Sequence, residues 1–123
     1  MTVSAYVGQP WRYLDPVRAI EQLGDMQALL SMLPMLQELL DRDVPQIAQF
    51  LAANDVKSAN PLLHSLKGCM PIFCVADFCE ELAYVEHMSK TAGIADVGPA
   101  FSVLGPKLNQ LRLEVSQFLT SQA

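Results

Sequence analysis

His64, Lys67 and Gly68 stand close together in Pro61-Leu-Leu-His-Ser-Leu-Lys-Gly-Cys-Met-Pro-Ile-Phe73, the stretch whose residue types and spacing best suit chemistry. On a helix advancing about 100° per residue, Leu62, Leu66, Cys69, Met70 and Phe73 fall within about 100° of arc. That stripe is wide enough to face a core. His64 then points about 160° from its middle, towards water, and Lys67 and Gly68 follow one turn along the same outward face. A water-facing imidazole offers a nucleophilic nitrogen at neutral pH. A lysine one turn away neutralises part of the charge of a phosphoryl group held there. Glycine removes a side chain beside the nucleophile and lets another protein bring its reactive group close. The three together suit phosphoryl transfer through the imidazole.

The elements that must hold this stretch read as helices throughout. Asp15-Pro16 has the pattern of an N-cap followed by proline at the first helical position, opening a short helix with Val17, Ile20 and Leu23 as its apolar face and Gly24 as its end. Asp25 caps a second, long helix in which Leu29, Leu33, Leu36, Leu40, Val44, Ile47 and Leu51 keep one stripe. Pro34 and Pro45 lie inside it and should kink rather than end it. Asn54-Asp55 reads as the turn into the histidine helix, with Ser58 or Asn60 as its N-cap and Pro61 in its first turn. A fourth helix is expected from Val75 to Lys90, with Phe78, Leu82 and Val85 inward and Glu86 about 60° off the centre of that stripe. After a loop over Gly93–Pro99, the residues Phe101, Leu104, Leu108, Leu111, Val115 and Phe118 recur in steps of three and four, a seam suited to helix packing. The expected fold is all-α, an antiparallel up-down-up-down four-helix bundle with a short extra N-terminal helix. Residues 1–13 are expected to form an arm whose aromatics Tyr6, Trp11 and Tyr13 pack onto a single helical domain over residues 14–120.

Composition narrows the function classes. With 51% hydrophobic residues among 123, the chain can bury one core. A net charge of -5 and the lack of any Lys/Arg cluster argue against nucleic-acid binding. No apolar run reaches membrane-span length and the N-terminal residues lack a basic region before an apolar one, so a cytoplasmic protein is expected. Cys69, Cys74 and Cys79 match no zinc pattern and read as small buried or half-buried hydrophobes. No G-x-x-x-x-G-K-[ST] loop occurs, so no signature of an autonomous kinase is present.

His64-Ser-Leu-Lys67-Gly68 resembles the H-x-L-K-G signature of histidine-containing phosphotransfer (HPt) domains, the intermediate carriers of multistep phosphorelays. Asp55, nine residues before the histidine, Phe78, fourteen after it, and the pair Val85-Glu86 also fit the family pattern, which can be laid on residues 14 to 119. At the turn where the family usually has glycine, ten residues after the histidine, this chain has Cys74.

The resemblance implies that His64 accepts a phosphoryl group from a receiver-domain aspartate and passes it to another receiver. Lys67 and Gly68 would assist, and Glu86 would hydrogen-bond the non-reactive ring nitrogen. It implies response-regulator receiver domains and a sensor or hybrid histidine kinase as partners. The metal ion these reactions need would belong to the receiver, so no cofactor or metal is expected on this chain, which is expected to be a monomer. Leu63, Ser65, Pro71 and helix-two residues near Pro34 are candidates for the docking surface. The alternative is an HPt-like interaction module that regulates a receiver or kinase without carrying phosphate. His87, without Lys-Gly companions, reads as an exposed surface residue.

Overall fold

The computed structural model describes residues 11–122, and the described chain is all-helical. Helix α1 spans Pro16–Leu23, α2 Met26–Ala52, α3 Val56–Phe73, α4 Ala76–Thr91 and α5 Ile94–Gln122. Three aspartates start the first three helices by accepting a hydrogen bond from a free first-turn N–H. Asp15 accepts from Arg18 N (3.1 Å), Asp25 from Ala28 N (2.8 Å) and Asp55 from Ser58 N (3.1 Å). Gly24 ends α1 at φ +112°, a conformation strained for any side-chain-bearing residue, and Asn54 after α2 takes φ +59°.

Because Asp55 caps α3, that helix begins earlier than the Ser58 or Asn60 expected from sequence, and Pro61 lies inside it. Likewise α5 begins at Ile94, so the expected loop to Pro99 shrinks to Ala92-Gly93. Pro34, Pro45, Pro61, Pro71, Pro99 and Pro106 all sit within helices and all at exposed positions. The carbonyl that each proline leaves without its N–H partner thus lies on the outer side, where water can reach it.

The seam residues named for α2, α4 and α5 are buried throughout. Helix α3 is rotated from its expected setting. Ala59, Leu63, Leu66, Met70 and Phe73 are buried, whereas Leu62 and Cys69 are half-buried. Both sets recur in steps of three and four, so spacing within α3 does not choose between them; packing against α4 and α2 does. In α1, Pro16 and Ala19 are buried and Val17 is 50% exposed, so the expected Val17 face is also displaced. Helix α3 packs on α4, α4 on α5, α5 on α2 and α2 on α3, while α1 rests on α2 and α3.

The segment before α1 is fixed by hydrogen bonds as well as by apolar contacts. Leu14 forms an antiparallel bridge with Cys74; Asp15 N donates to Phe73 O at 2.7 Å and Val75 N to Tyr13 O at 2.9 Å. Cys74 is extended (φ -122°, ψ 159°), which a non-glycine residue adopts freely, so this turn does not need glycine. The carboxylate of Glu114, buried on α5, accepts from three successive amides, Arg12, Tyr13 and Leu14, at 3.1, 3.0 and 3.0 Å. Trp11 packs edge-on against Phe118 at 5.9 Å and Tyr13 against Phe78 at 4.6 Å. Tyr6 and most of the expected arm lie outside the described residues.

Candidate functional site

Helix α3 carries His64 on its outer side and α4 carries Glu86 beside it. The histidine side chain is 67% exposed, whereas the Glu86 side chain is fully buried. Sequence spacing puts Glu86 at the border of its helix's apolar stripe; packing against α3 closes that border. A buried carboxylate must be compensated by charge and hydrogen bonds. Lys67 Nζ donates to Glu86 Oε1 at 3.1 Å, and Lys90 Nζ lies 3.7 Å from Oε2. Asn60 Nδ2 donates to Oε2 at 3.2 Å. His64 Nδ1 faces the same Oε2 at 3.6 Å, long for a hydrogen bond. Burial alone would raise the pKa of Glu86, but the hydrogen bonds from Lys67 and Asn60 and the charges of Lys67 and Lys90 outweigh it and lower it. Glu86 is therefore a carboxylate at neutral pH.

At 3.6 Å the Glu86 carboxylate acts on the ring through its charge, and a negative charge beside Nδ1 favours the imidazole tautomer with its proton on that nitrogen. Nε2 then carries the free lone pair. The arrangement is an imidazole turned to solvent, with its Nδ1 facing a buried anion and an ammonium one turn away.

Gly68 lies on the same outer side. A Cβ built there would meet nothing within 4 Å, so the space above it is open and no internal packing demands glycine. Ser65 and Pro71 are exposed. Pro71 is also tied at its carbonyl, which accepts from Arg18 Nε at 2.9 Å and Gln22 Nε2 at 3.3 Å. Leu63, expected on the docking surface, is instead fully buried in the core, a consequence of the rotation of α3.

His64, Lys67 and Glu86 are thus brought together, with Gly68 alongside. Asn60, Ser89 and Lys90 join them. From sequence alone none of these three has a part in the site. Asn60 is four residues before His64 and Ser89 three after Glu86, so one-turn spacing was the available signal. A surface groove of about 490 Å³, with Lys57, Asn60, Ser89 and Lys90 in its lining, adjoins the site.

Other chemistry finds less support. Burial pushes the Cys69 thiol up to about 11 and that of Cys74 well above its ordinary value, so neither offers a thiolate nucleophile at neutral pH. Among the described residues no group of three or more His, Cys, Asp or Glu side chains could hold a metal ion. No described helix is long and apolar enough to cross a membrane. Comparison of the chain with models of known families, with characterised proteins and with solved structures finds no match.

Proposed function

We propose that the protein is a histidine phosphotransfer protein of a multistep phosphorelay, with His64 as phosphoacceptor. The observation that carries this reading is the pairing of an exposed imidazole with a buried, ionised Glu86 at its Nδ1. In the proposed step the Nε2 lone pair attacks the phosphorus of a receiver's aspartyl phosphate. The bond between phosphorus and the carboxyl oxygen breaks, and the aspartate leaves as a carboxylate. Nδ1 keeps its proton, and the positive charge gained by the ring faces Glu86. Lys67 lies on the same side to offset charge on the phosphoryl oxygens, since such transfers depend mainly on positioning and electrostatics. Open space over Gly68 admits the partner.

Return of the phosphoryl group to a second receiver reverses the same bonds. The partners are receiver domains and, upstream, a sensor or hybrid histidine kinase; the metal ion is the receiver's. The ring of helix contacts α2–α3–α4–α5 supports an antiparallel up-down-up-down four-helix bundle as the scaffold, with α1 as the extra helix. On this reading the protein is a cytoplasmic monomer.

Incubation with a phosphorylated receiver tests the reading. The wild-type chain should acquire acid-labile, base-stable label, and His64→Gln should acquire none. Label that survives His64→Gln refutes the assignment. Receiver binding without any label would favour a regulator that carries no phosphate.

A further inference from the structure

Glu86 reaches the imidazole only if something aims it. Its oxygens are within reach of two lysines, and both ammonium groups are near the surface, with Lys67 40% and Lys90 46% exposed. Long, solvated lysine side chains do not fix a carboxylate's direction, because each can follow it. Asn60 is different. It is half-buried on α3 one turn before His64, and its short side chain has few rotamers.

An amide facing a carboxylate oxygen must present its NH2 group, which settles the orientation of this side chain. One N–H goes to Ser89 Oγ at 2.8 Å; the other faces Glu86 Oε2 at 3.2 Å and the Glu86 carbonyl at 3.4 Å. Ser89, buried on α4, in turn donates its hydroxyl to the Glu86 carbonyl at 2.6 Å. Asn60 is therefore held between a fixed hydroxyl and the oxygen that Nδ1 faces.

We propose that Asn60, braced by Ser89, is a positioning residue for His64: it holds Glu86 Oε2 towards Nδ1 and so keeps Nε2 as the free nucleophilic nitrogen. This rests on the phosphotransfer reading for its functional consequence, although the tautomer itself does not. Asn60 touches neither the reacting nitrogen nor the phosphoryl group. Without it, nothing opposes the pull of Lys90, whose Nζ already lies 3.7 Å from Oε2, and the ring loses its reason to keep the proton on Nδ1.

Nitrogen NMR of the labelled whole protein, at about pH 8 where an ordinary imidazole is neutral, reads the proton position on His64 directly. The exposed His87 serves as reference. In the wild type His64 should be mainly Nδ1–H. Asn60→Ala should move the balance towards Nε2–H and slow phosphoryl transfer about tenfold, the scale of one lost hydrogen bond to a charged group.

Asn60→Asp, which puts an acceptor against Glu86, should act in the same direction and provides a second variant if the alanine protein folds poorly. Asn60→Gln, which keeps an amide donor, should recover part of both effects. A tautomer balance unchanged in Asn60→Ala and Asn60→Asp overturns the proposal. So does a loss of rate that Gln fails to relieve while thermal stability stays constant. If the wild-type chain takes up no phosphoryl group, the proposed function fails, and the tautomer comparison still decides what Asn60 does.

Discussion

Replacing Gly68 by alanine should make the protein more stable, and on the phosphotransfer reading replacing it by glutamine should slow transfer. Glycine inside a helix is unfavourable relative to alanine by roughly 0.5–1 kcal/mol, chiefly through backbone entropy in the unfolded chain. Gly68 lies within α3 at an exposed position, and an added Cβ meets nothing within 4 Å. No clash therefore offsets that gain. With an unfolding entropy of about 2.1 cal/mol/K per residue, 0.5–1 kcal/mol corresponds to a rise of about 2–4 °C in Tm for a chain of this length. Thermal melts of wild type and Gly68→Ala measure it.

A partner docked over His64 would meet the new side chain, and a long one far more than a methyl. Overfilling a close contact costs about 1–3 kcal/mol, or roughly a five- to 150-fold loss in transfer rate for Gly68→Gln. Rapid-quench transfer from a phosphorylated receiver gives that rate. A lower Tm for Gly68→Ala would mean the fold itself needs glycine there. An unchanged rate for Gly68→Gln would remove the steric reason for glycine altogether.

Glu86→Gln should destabilise the protein by about 1 kcal/mol near neutral pH, the scale of a weakened charged hydrogen bond. Because the folded-state pKa of Glu86 is lowered, its ionised form contributes stability that is present above the ordinary glutamate range and lost as pH falls through the lowered value. Urea melts at about pH 7 and about pH 3 should therefore show the wild-type advantage shrinking in acid; an advantage that grows in acid refutes this. Glu114→Ala leaves the amides of Arg12, Tyr13 and Leu14 without their acceptor and should cost about 3 kcal/mol. It should also release Trp11, the only tryptophan, from Phe118, so that its emission shifts to the red. Leu63→Ala, which empties a fully buried position, should cost about 2–5 kcal/mol in urea melts; a near-neutral effect would return Leu63 to the surface.

Most of the helices were legible because their signals are local. Asp15-Pro16, Gly24 and Asp25 mark boundaries through backbone groups that each needs a partner nearby, and the α2 and α5 seams repeat long enough to fix their phase. Helix α3 was harder. Its apolar residues Leu62, Leu63, Leu66, Cys69, Met70, Ile72 and Phe73 cover more than one face, and only packing against α4 and α2 selects Leu63 over Leu62. Two features, one of the site and one of the fold, were out of reach. Burial of Glu86 depends on how closely α3 approaches α4, which no spacing within α4 records. Glu114 binds a segment about 100 residues earlier in the chain, so its three amide partners leave no local trace.

The division between outside and inside gives the site its chemical sense. Salt and water screen charges at the surface within about 10 Å, but they screen a buried carboxylate much less. An exposed acid next to His64 would therefore lend little to the ring, and it would also repel an incoming anionic phosphate. Glu86 avoids both problems: its charge is covered, partly neutralised by Lys67 and Lys90, and directed at Nδ1 from within. The imidazole can then stay exposed to its partner while its counter-charge remains sheltered. On the phosphotransfer reading, the positive charge that develops on the ring meets an anion already in place, and the half-exposed lysines keep that anion ionised. That preorganisation requires Glu86 to be both buried and ionised, which is why the hydrogen bonds that depress its pKa matter as much to transfer as the nucleophile does.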